Sequence, residues 1–516
     1  MPNDCAGAGA DGGPGTLRAL ARHASAYSVG SLLVTLASVV SFPLFTRLFT
    51  VGEYGVLGLV NVTLGLLVGI GKLGLQKSIV RFHAEIEAGQ RRGDRVTLFS
   101  TVLFGMLGVG ILIVAGTVPT VLALPGGIWG ETDARHLLVL AAPLVLVRVV
   151  DSAMLNLVNA EQRSAFYSVV TVIRKYLGLA LVAAVLLLVR RGLVAFFVAT
   201  TVAEALAVLW LVGHFARQGL FDVRYVSPAL FMAMLGFGLP LLASELSSVL
   251  LTMGGRYIIL ARLGARPLGS YSAAYNFCDY LQGILTLAFS QAVVPIYLRI
   301  WEQQGREATE RFLGQVVRYY AMLALPVLGG LAAVGPELLR LLASDRYGVS
   351  APLFGFIVGG MLLAGGAPLF SAGIYIDKLT RVVMWAVLGA ALVNIGLTAA
   401  LVGPLGIEGA ALATLVSYIM FAVVTAVRGR RVVHVRVPWL DVARYAAMTL
   451  AMFLAVRAIR AHAGAYPDAS AVLVALQCAA GVAIYAGMLA ATEPLLRRRL
   501  IRAAQSLRSG QRPSTR

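Results

Sequence analysis

Several ionisable side chains sit inside stretches otherwise apolar enough to cross a bilayer. A charge at that depth is costly, so it faces protein or a water-filled cavity, and such a cavity points to a transporter. Between Pro240 and Arg299 two long apolar segments, 240–262 and 268–295, carry Glu245, Arg256 and Asp279. Glu245 and Arg256 are 11 positions apart, almost three helical turns, which predicts one shared face. Arg256 and Asp279 lie at similar depths on the two antiparallel arms. Arg148 and Asp151 are three apart, neighbours on one helix face, with Asn159 near the same line. Asn61, Gly65, Gly69 and Lys72 form one stripe, in which small residues allow close packing and a cation lies near the segment's end. Arg174 and Lys175 sit about two turns from the end of their segment, and Glu204 is mid-segment with no charge nearby in sequence.

These residues divide into two groups. Arg256, Arg148, Lys72, Arg174 and Lys175 are candidate cavity cations. Glu245, Asp279, Asp151 and Glu204 are candidates for ion coupling or gating, because a carboxyl at low dielectric can exchange a proton as water access changes. Blander roles compete: Arg256 and Lys72 can reach an interface on their long stems, Arg148 and Asp151 can neutralise each other, and a carboxyl can simply join helices. No glycine loop for nucleotide, no zinc-type histidine cluster and no nucleophile signature appears. The expectation is therefore no enzyme, no catalytic residue, no metal and no cofactor. Without ATP chemistry, the energy must come from an ion gradient, the membrane potential or substrate drawdown.

The elements that must position these residues are helices in a membrane. Of the 516 residues, 59% are hydrophobic and 13% charged, against about 25% charged in a soluble domain. The chain reads as an all-α polytopic membrane protein; the ~10-residue alternation of a β-barrel is missing. About 14 transmembrane helices are expected, at 27–49, 54–76, 97–122, 136–158, 166–189, 193–214, 229–262, 268–294, 313–334, 351–375, 382–402, 408–427, 440–459 and 470–492.

The net charge of +19 arises from 43 Lys and Arg against 24 Asp and Glu. It reflects the positive-inside rule rather than nucleic acid: about 28 basic residues fall on one side and about 11 on the other. That bias predicts cytoplasmic termini and outer loops of at most about 16 residues, with no room for a domain outside the bilayer. Cys5, Cys278 and Cys478 have no metal-type spacing and predict no disulfide. No signal peptide is expected; the first span would itself direct the chain to the membrane.

An internal repeat organises the chain. Arg47-Leu48 with Glu53-Tyr54-Gly55 recurs as Arg262-Leu263 with Gly269-Ser270-Tyr271, at an offset of 215. Gly192-Leu193 with Ala199-Thr200 recurs as Gly406-Ile407 with Ala413-Thr414, at 214. Agreement between the two predicts two six-helix lobes in a parallel pseudo-two-fold repeat plus two C-terminal helices. The expected organisation is a disordered cytoplasmic tail at 1–22, an N-lobe at 23–216, a C-lobe at 217–430, helices thirteen and fourteen at 431–494, and a basic cytoplasmic tail at 495–516.

Phe45-Thr46-Arg47-Leu48-Phe49-Thr50-Val51-Gly52-Glu53-Tyr54-Gly55 resembles the first-loop signature of polysaccharide flippases. Gly269 to Tyr275, closed by Pro295, is similar to that family's eighth helix, and Asn394 with 401–414 resembles its eleventh-to-twelfth helix junction. The likeness runs from about Arg18 to Tyr418; the last two spans fit by position only. The family is the oligosaccharide (Wzx-type) flippase branch of the multidrug/oligosaccharidyl-lipid/polysaccharide (MOP) exporter superfamily.

The resemblance implies two six-helix lobes around a cavity that opens alternately to each side. Its implied substrate is an undecaprenyl-pyrophosphate-linked oligosaccharide, an O-antigen, capsule or exopolysaccharide repeat unit, crossing the bacterial inner membrane. Membrane lipids, H⁺ or Na⁺, and a polysaccharide polymerase with other assembly proteins are the implied partners, with no nucleic acid. Arg suits the pyrophosphate through its planar fork, which makes Arg256 the first candidate. Where the family often has an Asp before that Arg, this chain has Gly255, so Glu245, Asp279 or the substrate's phosphates must partner Arg256. Two alternatives compete with the flippase. An ion-coupled multidrug or small-molecule antiporter of the same superfamily fits the cationic excess less well. A polysaccharide polymerase or ligase would need a long outer loop.

Overall fold

The computed structural model describes residues 14–90, 93–123, 134–462 and 471–493. No strand occurs among them. Long apolar runs give α1 (Pro14–Leu48), α2 (Val51–Lys72), α4 (Arg95–Ala123), α5 (Ala134–Ala160), α6 (Ser164–Ala184) and α7 (Leu193–Ala216), with the short amphipathic α3 (Leu75–Glu87) between α2 and α4. After a short 3₁₀ turn at Val223–Tyr225 come α8 (Pro228–Met253), α9 (Gly255–Leu263) and α10 (Ala265–Leu342). The chain continues as α11 (Ala351–Gly365), α12 (Ala367–Phe370), α13 (Ala372–Ile376), α14 (Thr380–Gly429), α15 (Trp439–His462) and α16 (Ala471–Thr492). Gly305 (φ 76°) and Gly406 (φ 59°) break the two longest, α10 and α14, into pairs of helices. Eleven helical stretches among the described residues are long and apolar enough to cross a membrane.

Local chemistry sets the starts. Thr50 caps α2: its Oγ1 accepts from Glu53 N at 3.2 Å, and the Glu53 carboxylate accepts from Thr50 N at 2.8 Å. This reciprocal pair satisfies two otherwise orphaned amides. Ser227 caps α8 ahead of Pro228, whose missing N–H costs nothing at a first helical position. The first described helix begins at Pro14; residues 1–13 lie outside those described. Two expected spans are corrected. The span expected at 54–76 ends at Lys72, because Leu73 and Gly74 turn left-handed and α3 leaves as a separate helix. The span expected at 351–375 is three pieces, interrupted around Gly366 and Ser371.

The chain forms two compact units, Met1–Phe289 with Thr380–Ala413, and Ser290–Leu379 with Thr414–Arg516. This division differs from lobes at 23–216 and 217–430, which were drawn from the repeat rather than from packing. In the first unit α5 is central, flanked by α2, α4 and α7. Two backbone-to-backbone crossings also tie α2 and α3 to the helices after residue 228. Gly55 lies against Ala265 O and Gly269, while Gly269 lies against Val51 O; Gly74 lies against Gly238. A β-carbon at Gly55 would sit 2.7 Å from Gly269 N, and one at Gly269 would sit 2.8 Å from the Val51 carbonyl carbon, so neither position admits a side chain.

In the second unit α15 and α16 dock on the latter part of α10 through Ala333, Val334, Tyr445, Met448, Met452, Val456, Val474, Tyr485 and Leu489. Just past α16, Glu493 accepts from Arg318 Nη2 at 2.7 Å, from Tyr445 Oη at 2.7 Å and from Arg444. Burial pushes the Glu493 carboxyl up. The hydrogen bonds from Tyr445 and Arg318 and the two guanidinium charges outweigh it and hold the group below its ordinary value. The basic tail expected at 495–516 lies outside the described residues.

Candidate functional site

Helices α5, α6 and α7 bring five of the candidate charges together. Arg148 on α5 makes a two-pronged contact with Glu204 on α7: Nε donates to Oε2 and Nη2 to Oε1, each at 2.9 Å. Arg174 on α6 pairs with Asp151 on α5. Lys175 lies within electrostatic reach of Glu204, Arg148 and Arg174, and makes no ion pair within 4.0 Å among the described residues. The side chains are 27% (Arg148), 29% (Glu204), 27% (Arg174) and 15% (Asp151) exposed, so the set is reachable by solvent or ligand while remaining largely enclosed. Three cations meet two carboxylates, leaving one unit of positive charge.

Arg148 meets a carboxylate on another helix rather than Asp151, its neighbour three residues on. Two side chains three apart on one helix lie side by side, and that favours a shared direction over a face-on meeting. A carboxylate on a neighbouring helix can present both oxygens to the planar guanidinium, the stronger geometry. The carboxyl that had no charge nearby in sequence, Glu204, is thus the partner of Arg148, 56 residues away.

Arg256 is 3% exposed, so it neither reaches an interface nor lines an open cavity in this structure. Its Nη2 donates to Asn276 Oδ1 at 3.3 Å, and its Cζ lies 5.0 Å from the centroid of the Tyr275 ring. Asn276 Nδ2 donates to Tyr54 Oη at 3.2 Å. Among the described residues, Arg256 Nε has no hydrogen-bond partner. Neither expected carboxylate pairs with it within 4.0 Å. Asp279 interacts electrostatically at longer range, and Glu245 lies instead 4.0 Å from Lys72. Glu245 and Arg256 do not share an environment: the Glu245 side chain is 33% exposed and Arg256 only 3%. Gly255, in the position where an Asp was the family expectation, faces Thr398 of α14, whose Cγ2 would lie 3.4 Å from an added β-carbon.

Lys72 and Glu245 join α2 to α8 across a half-exposed pair. The small-residue stripe is not one packing face: among the described residues nothing lies within 4 Å of a β-carbon at Gly65, whereas one at Gly69 would touch Leu246 at 3.5 Å. Asn61 turns back to its own helix, donating to Leu57 O at 3.0 Å. The residues missed in sequence are Tyr275 and Asn276. An amide inside an apolar helix, at the depth of Arg256, was the available signal for Asn276. Tyr54 stood inside the first-loop signature but carried no assigned role.

Comparison with known proteins agrees with the resemblance carried by Phe45–Gly55 and Gly269–Tyr275. The family model described as polysaccharide biosynthesis protein matches residues 20–301. The succinoglycan biosynthesis transport protein ExoT of Rhizobium meliloti is 24% identical over 480 residues, 90% of this chain and 92% of that protein. Among solved structures, the lipid II flippase MurJ in an inward closed conformation superposes with a TM-score of 0.74 at 14% identity, covering 92% of this chain and 99% of that one. An inward-facing multidrug resistance MATE family transporter of the MOP superfamily gives a TM-score of 0.59 at 16% identity, over 80% of this chain and 93% of that one. The fold is therefore that of MOP-superfamily transporters, a multi-pass helical membrane protein. The chain belongs to the polysaccharide biosynthesis protein family.

Proposed function

We propose that this protein carries an undecaprenyl-pyrophosphate-linked oligosaccharide from the inner to the outer leaflet of the bacterial inner membrane by alternating access, with both termini in the cytoplasm. The observation that supports it is the net-cationic, partly open set Arg148, Asp151, Arg174, Lys175 and Glu204 at membrane depth. A pyrophosphate is an anion with many acceptor oxygens, and Arg and Lys in a low-dielectric site suit it. Lys175, with no ion pair among the described residues, is the first contact. Phosphate oxygens then compete with Glu204 and Asp151 for the two guanidinium groups. The carboxylates so released are free to take up H⁺ or Na⁺ from the side to which the cavity is open, which couples loading to ion binding. Arg256, enclosed by Tyr275 and Asn276, is left out of this first encounter.

The membership of a polysaccharide biosynthesis family and the surplus positive charge together favour an anionic lipid carrier over a cationic drug. A polymerase accepting the delivered units is the expected partner. The test is a deletion strain with no second flippase, in which lipid-linked repeat units should accumulate on the inner leaflet. Complementation by the parent chain, but not by Lys175→Glu with Arg174→Glu, is the expected pattern. Normal outer-leaflet delivery in the deletion strain would remove the proposal.

A further inference from the structure

The crossing of α2 and α10 has features that substrate binding does not explain. Gly55 and Gly269 are 214 residues apart, within a residue or two of the repeat offset, so the crossing joins corresponding turns of the two repeats. Gly58 and Ser272, again 214 apart, face each other one turn further on; a β-carbon at Gly58 would lie 3.0 Å from Ser272 Oγ. Ser272 is fully buried. Small residues let the two backbones approach closely here, so the crossing is a backbone contact without interlocking side chains. Next to it runs a chain of polar contacts. Tyr54 of α2 accepts from Asn276 of α10, and Asn276 accepts from Arg256 of α9.

We infer that this crossing is a gate and that Asn276 is its latch, with Arg256 as the positioning residue. The inference rests on the flippase reading only where transport is the readout. Asn276 has one carbonyl and one amide end. Arg256 can only donate, so it fixes Oδ1 towards itself and leaves Nδ2 pointing at Tyr54. Asn276 and Arg256 belong to the second repeat and Tyr54 to the first, so the link between Tyr54 and Asn276 breaks when α2 and α10 part. A buried Arg256 in a membrane helix is thereby put to use without touching substrate. The end of α2 concerned is the one that the charge bias assigns to the outer face of the membrane.

The experiment reads the gate without substrate. Ser272→Cys places a thiol between the two helices, where a small water-soluble thiol reagent reaches it only when the crossing opens. In membrane vesicles, with the parent chain as background control, Asn276→Leu and the milder Tyr54→Phe should each speed labelling about fivefold, the population shift that loss of one ordinary hydrogen bond brings. Asn276→Asp can accept from both Tyr54 and Arg256, and should slow labelling by a similar factor. A change in the same direction for Asn276→Leu and Asn276→Asp, or none in Tyr54→Phe, would overturn the latch.

A second readout concerns transport. A β-carbon at Gly52 would lie 3.8 Å from Ala265 Cβ, inside the range of about 3.5–4.5 Å for a disulfide. Gly52→Cys with Ala265→Cys, oxidised, should stop transport, and reductant should restore it; single-cysteine variants should be unaffected by oxidant. Transport that persists through a formed disulfide would show that the crossing need not open. If labelling behaves as expected but the reduced protein moves no lipid-linked oligosaccharide, the flippase reading fails and the gate stands.

Discussion

The contact between Arg148 and Glu204 allows a quantitative test of how the charges in α5 and α7 are held. Two charge-assisted hydrogen bonds at 2.9 Å join them, with 27% and 29% of the side chains exposed. Hydrogen bonds to charged groups contribute about 1.5–3 kcal/mol each, and breaking one partner of a fully buried pair costs about 3–5 kcal/mol. Partial exposure lowers both figures, which puts the coupling between the two residues at about 2 kcal/mol. In a double-mutant cycle, Arg148→Leu and Glu204→Leu should each lower thermal stability in detergent, because each leaves an uncompensated charge in an apolar helix bundle. The double variant should cost clearly less than the two singles combined, and Arg148→Glu with Glu204→Arg should recover part of the loss. The assay is the fraction of monodisperse protein remaining after a temperature series. Strict additivity, with no recovery in the exchange, would show that the two side chains do not depend on each other.

Leucine in place of Gly269 must push into the Val51 backbone, so Gly269→Leu should yield little folded protein. Gly65→Leu, with open space around it, should fold normally; equal yields would refute the crossing. The folded-state value of Glu493 is depressed, so its stabilising contribution is present above the ordinary carboxyl value of 4.5 and is lost as pH falls through the lower folded value. Thermal melts between roughly pH 5 and pH 3 should therefore show a slope that Glu493→Gln flattens. The Lys72–Glu245 pair, 4.0 Å apart and a quarter to a third exposed, should add under about 1 kcal/mol to stability. Lys72→Met should then leave the melting temperature nearly unchanged, and any loss of transport would report on ligand or ion contact.

The helices were readable from the chain because unbroken apolar runs of about 20 residues have few other uses. The charges at membrane depth were readable for the same reason, since nothing around them is polar. Their partners were not. Whether Arg148 turns to Asp151 or Glu204 depends on how α5 and α7 are rotated against each other, which no spacing within one helix encodes. The breaks were half-legible. Gly74 and Gly366 are visible, yet Leu73 and Ser371 give little sign that the helix stops there, and the apolar run passes straight through them. The first-loop signature marked a motif without its use: Gly55 is there for a backbone and Tyr54 for an amide 222 residues away.

A contact between corresponding turns of two repeats is close to a self-complementary patch. Two copies of a single six-helix half, meeting about a two-fold axis, would bury this same patch against itself, as symmetric dimers do. Joining the halves in one chain removes the requirement that both copies stay alike, because each side can then be altered separately. The two sides already differ where Gly58 meets Ser272, one bare and the other bearing a hydroxyl, while Gly55 meets a second glycine, Gly269. The asymmetry that lets one face carry Arg256 and Asn276 and the other only Tyr54 is what fusion permits and a dimer of identical halves could not have.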